Sequence, residues 1–204
     1  MDTWGQKMLE CVCTVSKMTA IGFGLSSPFI LSSKLKNGPH LLAPTATDIG
    51  KHHTENEVYA GYHYDMNFLT IHGKSRYPGL YVWSSSGERM PVSIPNGCLL
   101  LQAGKELEWL TGGYVTAGMH EVICSKGTIK AYETALDSKA SSNDNERHKS
   151  LWRISSTLFS HIASDIVLEP LERFHTNDTV CQKYPATLAG DYVSAELAHI
   201  KLSE

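Results

Sequence analysis

The chain has 204 residues, of which 42% are apolar and 19% are charged, and its net charge is −3. This length supports one ordinary domain with a hydrophobic core. The weak negative charge excludes a broad basic field for nucleic acid or for an anionic membrane, so neither partner is expected. The sequence leaves the oligomeric state open.

Cysteine usage and the N-terminus predict the compartment. The five cysteines are odd in number and none has C-x-x-C spacing, so we expect free thiols in a reducing environment. The N-terminus has no basic region followed by an apolar run, and no stretch is long and apolar enough to span a bilayer. We therefore expect a cytoplasmic protein.

The first predicted element is an amphipathic helix that is capped by Asp2 or Thr3 and ends near Gly22. Its apolar residues recur at steps of three and four, which is the helical period. They are Trp4, Met8, Val12, Val15 and Met18. We interpret this segment as a supporting helix that lies on a sheet.

From residue 38 to residue 167 the sequence consists of short strand-like runs separated by glycine and proline turns, which is typical of an all-β sandwich or barrel. The exception is Lys126–Lys149. There, Ile129–Leu136 is predicted to form a helical turn or two, and the polar stretch Asp137–Lys149 is predicted to be an exposed, mobile loop. A closing helix is expected from about Asp191, with one apolar face formed by Val193, Leu197 and Ile200.

Two histidines and an aspartate form a candidate metal site. A strand over 59–71 would place His63 and Asp65 on the same face, because side chains alternate along a strand. His120 follows 55 residues after Asp65 in a second strand-like segment. Each signal is weak alone, since an H-x-D pair is usually solvated and a lone histidine is usually a core residue. Together, two imidazoles and one carboxylate can hold Fe(II) on one face and leave the other face open.

Arg153 is the candidate anion-binding residue. It shares one face of the predicted strand 151–159 with Ser155, among mostly apolar neighbours. A buried guanidinium needs an anion, and its planar fork suits a carboxylate. A dicarboxylate cosubstrate and one of the protein's own acids are equally good interpretations of that anion.

These residues occur within a longer series of blocks whose order resembles the iron(II)- and 2-oxoglutarate-dependent oxygenases, in particular the isopenicillin N synthase-like branch. The resemblance extends over nearly the whole chain from Trp4. The blocks are His63-x-Asp65 with Leu69-Thr70, residues 79–82, residues 92–104, residues 106–113, His120, Arg153-x-Ser155 and residues 184–187.

The resemblance implies a mainly β fold, with a double-stranded β-helix (jelly roll) core and flanking α-helices. A single oxygenase domain would then fill the chain, with a supporting helix region at 1–35 and a C-terminal tail and helix at 171–204. The jelly-roll core would occupy 36–170, with an insertion near 126–149.

The resemblance also implies roles for the candidate residues. His63, Asp65 and His120 would ligate Fe(II), and Arg153 with Ser155 would hold the distal carboxylate of 2-oxoglutarate. The enzyme would use O2 to oxidise a small molecule while 2-oxoglutarate is decarboxylated to succinate and CO2, and ascorbate is a further candidate cofactor. Minor candidates for contact with the iron-bound species or the substrate are Tyr64, Asn67, Leu69 and Gln102.

Three features depart from the family pattern. Residues 41–44 lack the tyrosine that commonly helps to hold the cosubstrate, and Arg153 lies 33 residues after His120 instead of within one hairpin. The family's substantial N-terminal region is absent before the helix that Trp4 opens, which suggests a shortened gene product or isoform. Two alternatives therefore stay open: an isopenicillin N synthase-like oxidase that does not use 2-oxoglutarate, and a catalytically silent binding protein.

His72 has no partner at ligand spacing and is assigned no role.

Overall fold

The structure is a computed structural model, and it describes residues 2–141, 150–175 and 177–200. The helices of this part are α1 (Asp2–Gly22), α2 (Phe29–Lys34), α3 (Lys105–Leu110), α4 (Lys126–Ser141), α5 (Asp178–Lys183) and α6 (Ala189–Ile200). The first five strands are β1 (Leu41–Asp48), β2 (Val58–His63), β3 (Leu69–His72), β4 (Leu80–Trp83) and β5 (Arg89–Pro91). The others are β6 (Leu100–Ala103), β7 (His120–Ile123), β8 (Trp152–Ser160), β9 (Val167–Leu168) and β10 (Thr187–Leu188).

Eight of the strands form two four-stranded antiparallel sheets. Sheet I has the order β1-β8-β3-β6 and sheet II has the order β2-β7-β4-β5, while β9 and β10 form a separate two-stranded ribbon. Along the chain, β1 to β4 alternate between the two sheets, and so do β6 to β8. This double Greek-key order is that of a jelly roll, so the predicted fold class is confirmed.

The main hydrophobic core lies between sheet I and the helices. Helix α1 packs against α2 and against strands β3 and β8. Met8 and Val12 of this helix are fully buried and join Leu69, Ile71 and Leu158 of the sheet in one cluster. The supporting role predicted for the first helix is therefore confirmed.

The predicted apolar face of α1 is wrong in its second half. After Val12 the buried stripe continues at Ser16 and Ala20, whereas Met18 is 64% exposed. The hydroxyl of Ser16 donates to the carbonyl of Val12, so its burial leaves no unpaired group.

Two further boundaries differ from the prediction. Helix α4 covers Lys126–Ser141, so the segment predicted as one or two turns is longer, and the first residues of the predicted loop are helical. The rest of that loop, residues 142–149, lies outside the described residues. Helix α6 begins at Ala189 and buries Ala189 and Tyr192, while Leu197 is half exposed.

The two faces of sheet I differ in chemistry. The face towards the helices is apolar apart from Ser160, but the opposite face, which looks towards sheet II, has polar side chains at its buried positions. These are Thr70, His72, Gln102, Arg153 and Thr157. A β-sandwich normally fills the space between its sheets with apolar side chains. Convergent polar groups in such a space instead mark a candidate binding site.

No helix within the described ranges is long and apolar enough to cross a membrane. All five cysteines are free thiols, as the sequence predicts.

The position of the core predicts different effects for two methionines of α1. Met8→Ala removes a fully buried side chain, so we expect a loss of about 2–5 kcal/mol in the free energy of unfolding. Met18→Ala alters a side chain that is 64% exposed, so a change within about 0.5 kcal/mol is expected. Urea denaturation of both variants measures the difference. Equal losses would contradict the observed orientation of the helix.

Candidate metal and anion site

His63, Asp65 and His120 converge where the two sheets meet. His63 ends β2 and His120 begins β7, and the two residues are paired in register across sheet II. The Nε2 atoms of His63 and His120 lie 3.4 Å and 3.8 Å from Oδ1 of Asp65. One donor atom from each residue lies within 4.8 Å of the other two. The three residues that the sequence selects are thus brought together.

The reason given from the sequence for the position of Asp65 is wrong. No continuous strand covers 59–71, because β2 ends at His63 in sheet II and β3 begins at Leu69 in sheet I. Asp65 lies in the connection between the sheets. The crossing of the chain from one sheet to the other, and not strand alternation, therefore brings Asp65 close to His63.

The start of α3 holds this crossing segment in place. The backbone N–H of Lys105 donates to the carbonyl of Asp65 at 2.8 Å, and the N–H of Glu106 donates to the carbonyl of Asn67 at 3.1 Å. A Cβ atom on Gly104 would lie 2.0 Å from the same Asn67 carbonyl oxygen. Only glycine permits this contact, so Gly104 sets how closely the helix holds the segment that carries Asp65.

The two carboxylate oxygens of Asp65 have separate partners. Oδ2 accepts a 2.6 Å hydrogen bond from the Thr70 hydroxyl, which leaves Oδ1 directed at the two imidazoles. Burial acts to raise the pKa of the Asp65 carboxyl. The hydrogen bond from His63 and the nearby imidazole of His120 outweigh burial and lower that pKa. Asp65 is therefore a carboxylate at neutral pH.

Each histidine is oriented through Nδ1. His63 Nδ1 lies 2.7 Å from the carbonyl of Gly61, and a carbonyl only accepts, so this nitrogen carries a proton and Nε2 is the nitrogen directed at Asp65. His120 Nδ1 lies 2.7 Å from the Gln102 amide nitrogen. The same amide nitrogen also donates to the carbonyl of Gly118. A Cβ atom on Gly118 would lie 2.8 Å from this nitrogen. Gln102, which the sequence marks only as a minor candidate, fixes the rotation of the His120 ring.

Arg153 is 8% exposed and lines a cavity of about 320 Å³. Its Nε donates to the carbonyl of Pro78 at 3.3 Å, and within the described ranges no carboxylate oxygen lies within 4.0 Å of its guanidinium. The interpretation of Arg153 as one half of an internal salt bridge is thus not supported. Burial lowers the pKa of this guanidinium only from a very high ordinary value, so the charge is retained.

The same cavity has a positive lining. Lys74 and Arg76 line it with Arg153, and none of its lining residues is acidic. The Oγ atom of Ser75, another lining residue, is buried without a hydrogen-bond partner. Ser155, the predicted companion of Arg153, is half-buried two residues further along β8 and is not among the lining residues.

Three more buried polar atoms near the histidines and Asp65 have no hydrogen-bond partner. They are Nε2 of His72, Nδ2 of Asn67 and Oε1 of Gln102. The His72 ring lies edge-on to His120, with 5.6 Å between ring centroids. Spacing in the sequence gave His72 no role. The one available signal was that it shares a strand face with Thr70, two residues earlier.

A second cavity, of about 670 Å³, is lined by chain neighbours of the candidate metal ligands but not by the ligands themselves. Tyr62 and Tyr64, which flank His63, line it together with Met119, which precedes His120. Trp83 adds a third aromatic ring, 6.1 Å from that of Tyr62. Its size falls in the range of small-molecule sites.

Glu108 connects α3 to the segment that leads into His120. Its carboxylate accepts hydrogen bonds from the backbone N–H of Ala117 at 2.8 Å and from the Tyr184 hydroxyl at 3.1 Å, and it pairs with Lys105 at 3.0 Å. Burial acts to raise the pKa of Glu108. The hydrogen bond from Ala117 and the charge of Lys105 outweigh burial, and the pKa is lowered.

No known family profile matches this sequence, and no curated protein matches it either. Solved structures do resemble the chain. A Neurospora crassa protein, solved at full length in complex with alpha-KG and 5-formyluracil, has a TM-score of 0.75 at 17% identity over 98% of this chain and 59% of its own. The dioxygenase for auxin oxidation from rice has a TM-score of 0.72 at 16% identity over 97% of this chain and 57% of its own.

A Caulobacter crescentus protein, provisionally named as a 2OG-Fe(II) oxygenase family member, has a TM-score of 0.74 at 21% identity over 98% of this chain and 58% of its own. The chain therefore has the jelly-roll fold of 2OG-Fe(II) oxygenase family structures. It spans a little under six-tenths of the length of these proteins.

The lowered pKa of Glu108 predicts a pH-dependent contribution to stability. A carboxyl whose pKa is depressed in the folded state stabilises the fold above its unfolded pKa, and this contribution is lost as the pH falls through the folded pKa. Glu108→Gln should therefore lower the free energy of unfolding by about 1–3 kcal/mol at pH 7. The difference from the unaltered protein should shrink below about pH 4.

Denaturant titrations at several pH values measure this effect, with the exposed Glu133→Gln as the matched control. A loss that is the same at pH 7 and at acid pH would contradict the assigned role of the Glu108 charge.

Proposed function

We propose that this chain is an Fe(II)- and 2-oxoglutarate-dependent oxygenase of the isopenicillin N synthase-like branch, acting on a small molecule. The observation that carries the proposal is the combination of a His-Asp-His donor group and a buried arginine without a carboxylate partner among the described residues. The similar solved structures of the Neurospora crassa protein and of the auxin dioxygenase support the same reaction class.

The donor group fits a ferrous ion. Two imidazole nitrogens and one carboxylate oxygen suit Fe(II), and three ligands on one side leave further positions for other molecules. His63 directs Nε2 towards Oδ1 of Asp65, and Thr70 holds the far oxygen of Asp65 so that Oδ1 is free to coordinate. Partners of this kind fix ligand orientation and tune affinity. The ion would supply the O2 chemistry that couples decarboxylation of 2-oxoglutarate, to succinate and CO2, to oxidation of a substrate C–H bond.

The buried arginine fits a carboxylate. Arg153 lies in an acid-free cavity with two other cations, where the low dielectric strengthens its attraction for an anion. Its guanidinium can hold the distal carboxylate of 2-oxoglutarate with two parallel hydrogen bonds. Ser155 follows on the same strand and is proposed to assist. The polar interior between the sheets would accommodate the remainder of the cosubstrate.

The aromatic cavity beside His63 is the proposed place for the substrate. Tyr62, Tyr64 and Trp83 offer aromatic surface against which a small molecule can pack. Lys105 and Glu108 at its rim neutralise each other, so the cavity carries no strong net charge. We propose a cytoplasmic enzyme, with ascorbate as an accessory reductant.

Metal binding tests the donor group directly. Removal of a partner outside the coordination sphere already costs about 10- to 100-fold in metal affinity, so Asp65→Ala and His63→Ala should each weaken Mn(II) or Fe(II) binding by more than about 100-fold. Anaerobic equilibrium dialysis with metal analysis measures this.

His52→Ala is the matched control, since His52 pairs with Glu57 away from the site. Its metal affinity should equal that of the unaltered protein. Undiminished binding by a folded Asp65→Ala variant would exclude the proposed ligand set.

Arg153 is tested by cosubstrate affinity. Arg153→Leu removes a buried, charge-assisted pair of hydrogen bonds, so the affinity of the Mn(II)-loaded protein for 2-oxoglutarate should fall by about 100-fold, with metal affinity unchanged. Anaerobic titration calorimetry measures both. Arg76→Leu, an exposed residue of the same cavity, should cost far less. Equal losses in the two variants would mean that the cavity acts only through its net charge.

A further inference from the structure

His72 is a buried imidazole for which the proposed function gives no role. It is 8% exposed in β3, and its Nε2 atom is buried without a hydrogen-bond partner. Buried polar atoms are rarely left unpaired in native proteins. An atom of this kind, directed into the interior between two sheets, indicates a ligand that the protein binds there.

The position of His72 places it beside the candidate metal ligands. Its ring is 5.6 Å from that of His120, and it shares a strand face with Thr70, whose hydroxyl holds Asp65. The donor group within 4.8 Å consists of His63, Asp65 and His120 and does not include His72. His72 is therefore placed to contact a molecule bound at the open positions of the ion and is not itself a ligand.

The register of sheet I shows which end of such a molecule His72 would meet. His72 is paired with Thr157, and Arg153 lies four residues earlier on the same strand. Four residues of a strand span roughly 13 Å. Arg153 and His72 therefore mark opposite ends of the polar interior, and His72 is at the end next to His120.

A second unpaired atom supports a polar ligand at this end. Nδ2 of Asn67 is buried without a partner, and Asn67 lies in the crossing segment two residues after Asp65. The amide can donate through this nitrogen, as an imidazole can through Nε2. Asn67 Oδ1 accepts a hydrogen bond from Thr70, which shares a strand face with His72, so both unpaired groups belong to the same polar region. Two such groups suit an oxygen-rich ligand such as a 2-oxo carboxylate.

We propose that His72 is a cosubstrate-binding residue, which hydrogen-bonds through Nε2 to the 2-oxo carboxylate end of the cosubstrate beside the metal ion. The inference rests on the proposed function. It provides the interior with a second polar contact for the cosubstrate, at the end opposite Arg153, in a chain that lacks the tyrosine expected from the family pattern.

The test compares His72→Leu, which removes the polar atoms, with His72→Gln, which retains a donor. Mn(II) affinity and 2-oxoglutarate affinity are measured separately by anaerobic calorimetry. His72→Leu should bind Mn(II) as the unaltered protein does and should bind 2-oxoglutarate about 10- to 100-fold more weakly. His72→Gln should recover most of that loss. His199→Leu, on the exposed surface of α6, is the control and should change neither affinity.

Each other outcome overturns the proposal in a distinguishable way. Equal 2-oxoglutarate affinity in His72→Leu and the unaltered protein would exclude the contact while leaving the proposed function intact. A fall in Mn(II) affinity would make His72 a metal ligand instead. Failure of the unaltered protein to bind 2-oxoglutarate would overturn both the proposed function and this inference. If His72→Leu does not fold, His72→Phe, which retains a planar ring without nitrogen, is measured in its place.

Discussion

The crossing of the chain from sheet II to sheet I, between His63 and Leu69, is the constraint on which the site depends. A jelly roll sends successive strands to opposite sheets, so this short segment must pass through the space between them. Backbone N–H groups at the start of α3 hold its carbonyls, and Gly104 lacks the Cβ that would prevent this contact. A carboxylate on such a segment is presented to both sheets at once. Asp65 can therefore meet the paired histidines of sheet II while Thr70 of sheet I holds its other oxygen.

In the same topology, the hydrophobic core and the candidate functional site lie on opposite faces of sheet I. The apolar core lies outside sheet I, where α1 and α2 cover Leu69, Ile71 and Leu158. The space between the sheets can then contain polar side chains without loss of the core, and burial gives those side chains their chemistry. Asp65 and Arg153 both keep their charge in this interior, and the absence of an internal acid near Arg153 in the described part of the chain favours an external anion.

Much of this arrangement could be predicted from the sequence, although not always for the right reason. The run from Trp152 to Ser160 is a strand with Arg153 buried, as expected, but the apolar side chains of Trp152 and Ile154 on its opposite face are 48% and 55% exposed. His63, Asp65 and His120 come together in space, as the sequence led us to expect, but the strand assumed to align the first two does not exist. The crossing depends on contacts with α3, some forty residues later, and the periodicity of a short segment cannot predict such contacts.

His72 was missed for a related reason, since its proposed role depends on its position opposite His120 across the two sheets. Met18 fits a helical apolar face by spacing, and only the packing of the folded chain shows that the buried stripe passes through Ser16 and Ala20 instead.

The central claim is that the interior between the sheets assembles a reactive complex from Fe(II) and 2-oxoglutarate. The most direct measurement is to mix the protein anaerobically with both, record the visible spectrum, and then admit O2 and quantify succinate. The account predicts a weak visible charge-transfer band that requires both components and disappears after O2 is added, with formation of succinate. Folded protein that gives neither the band nor succinate would contradict the account and would indicate a binding protein without catalytic activity.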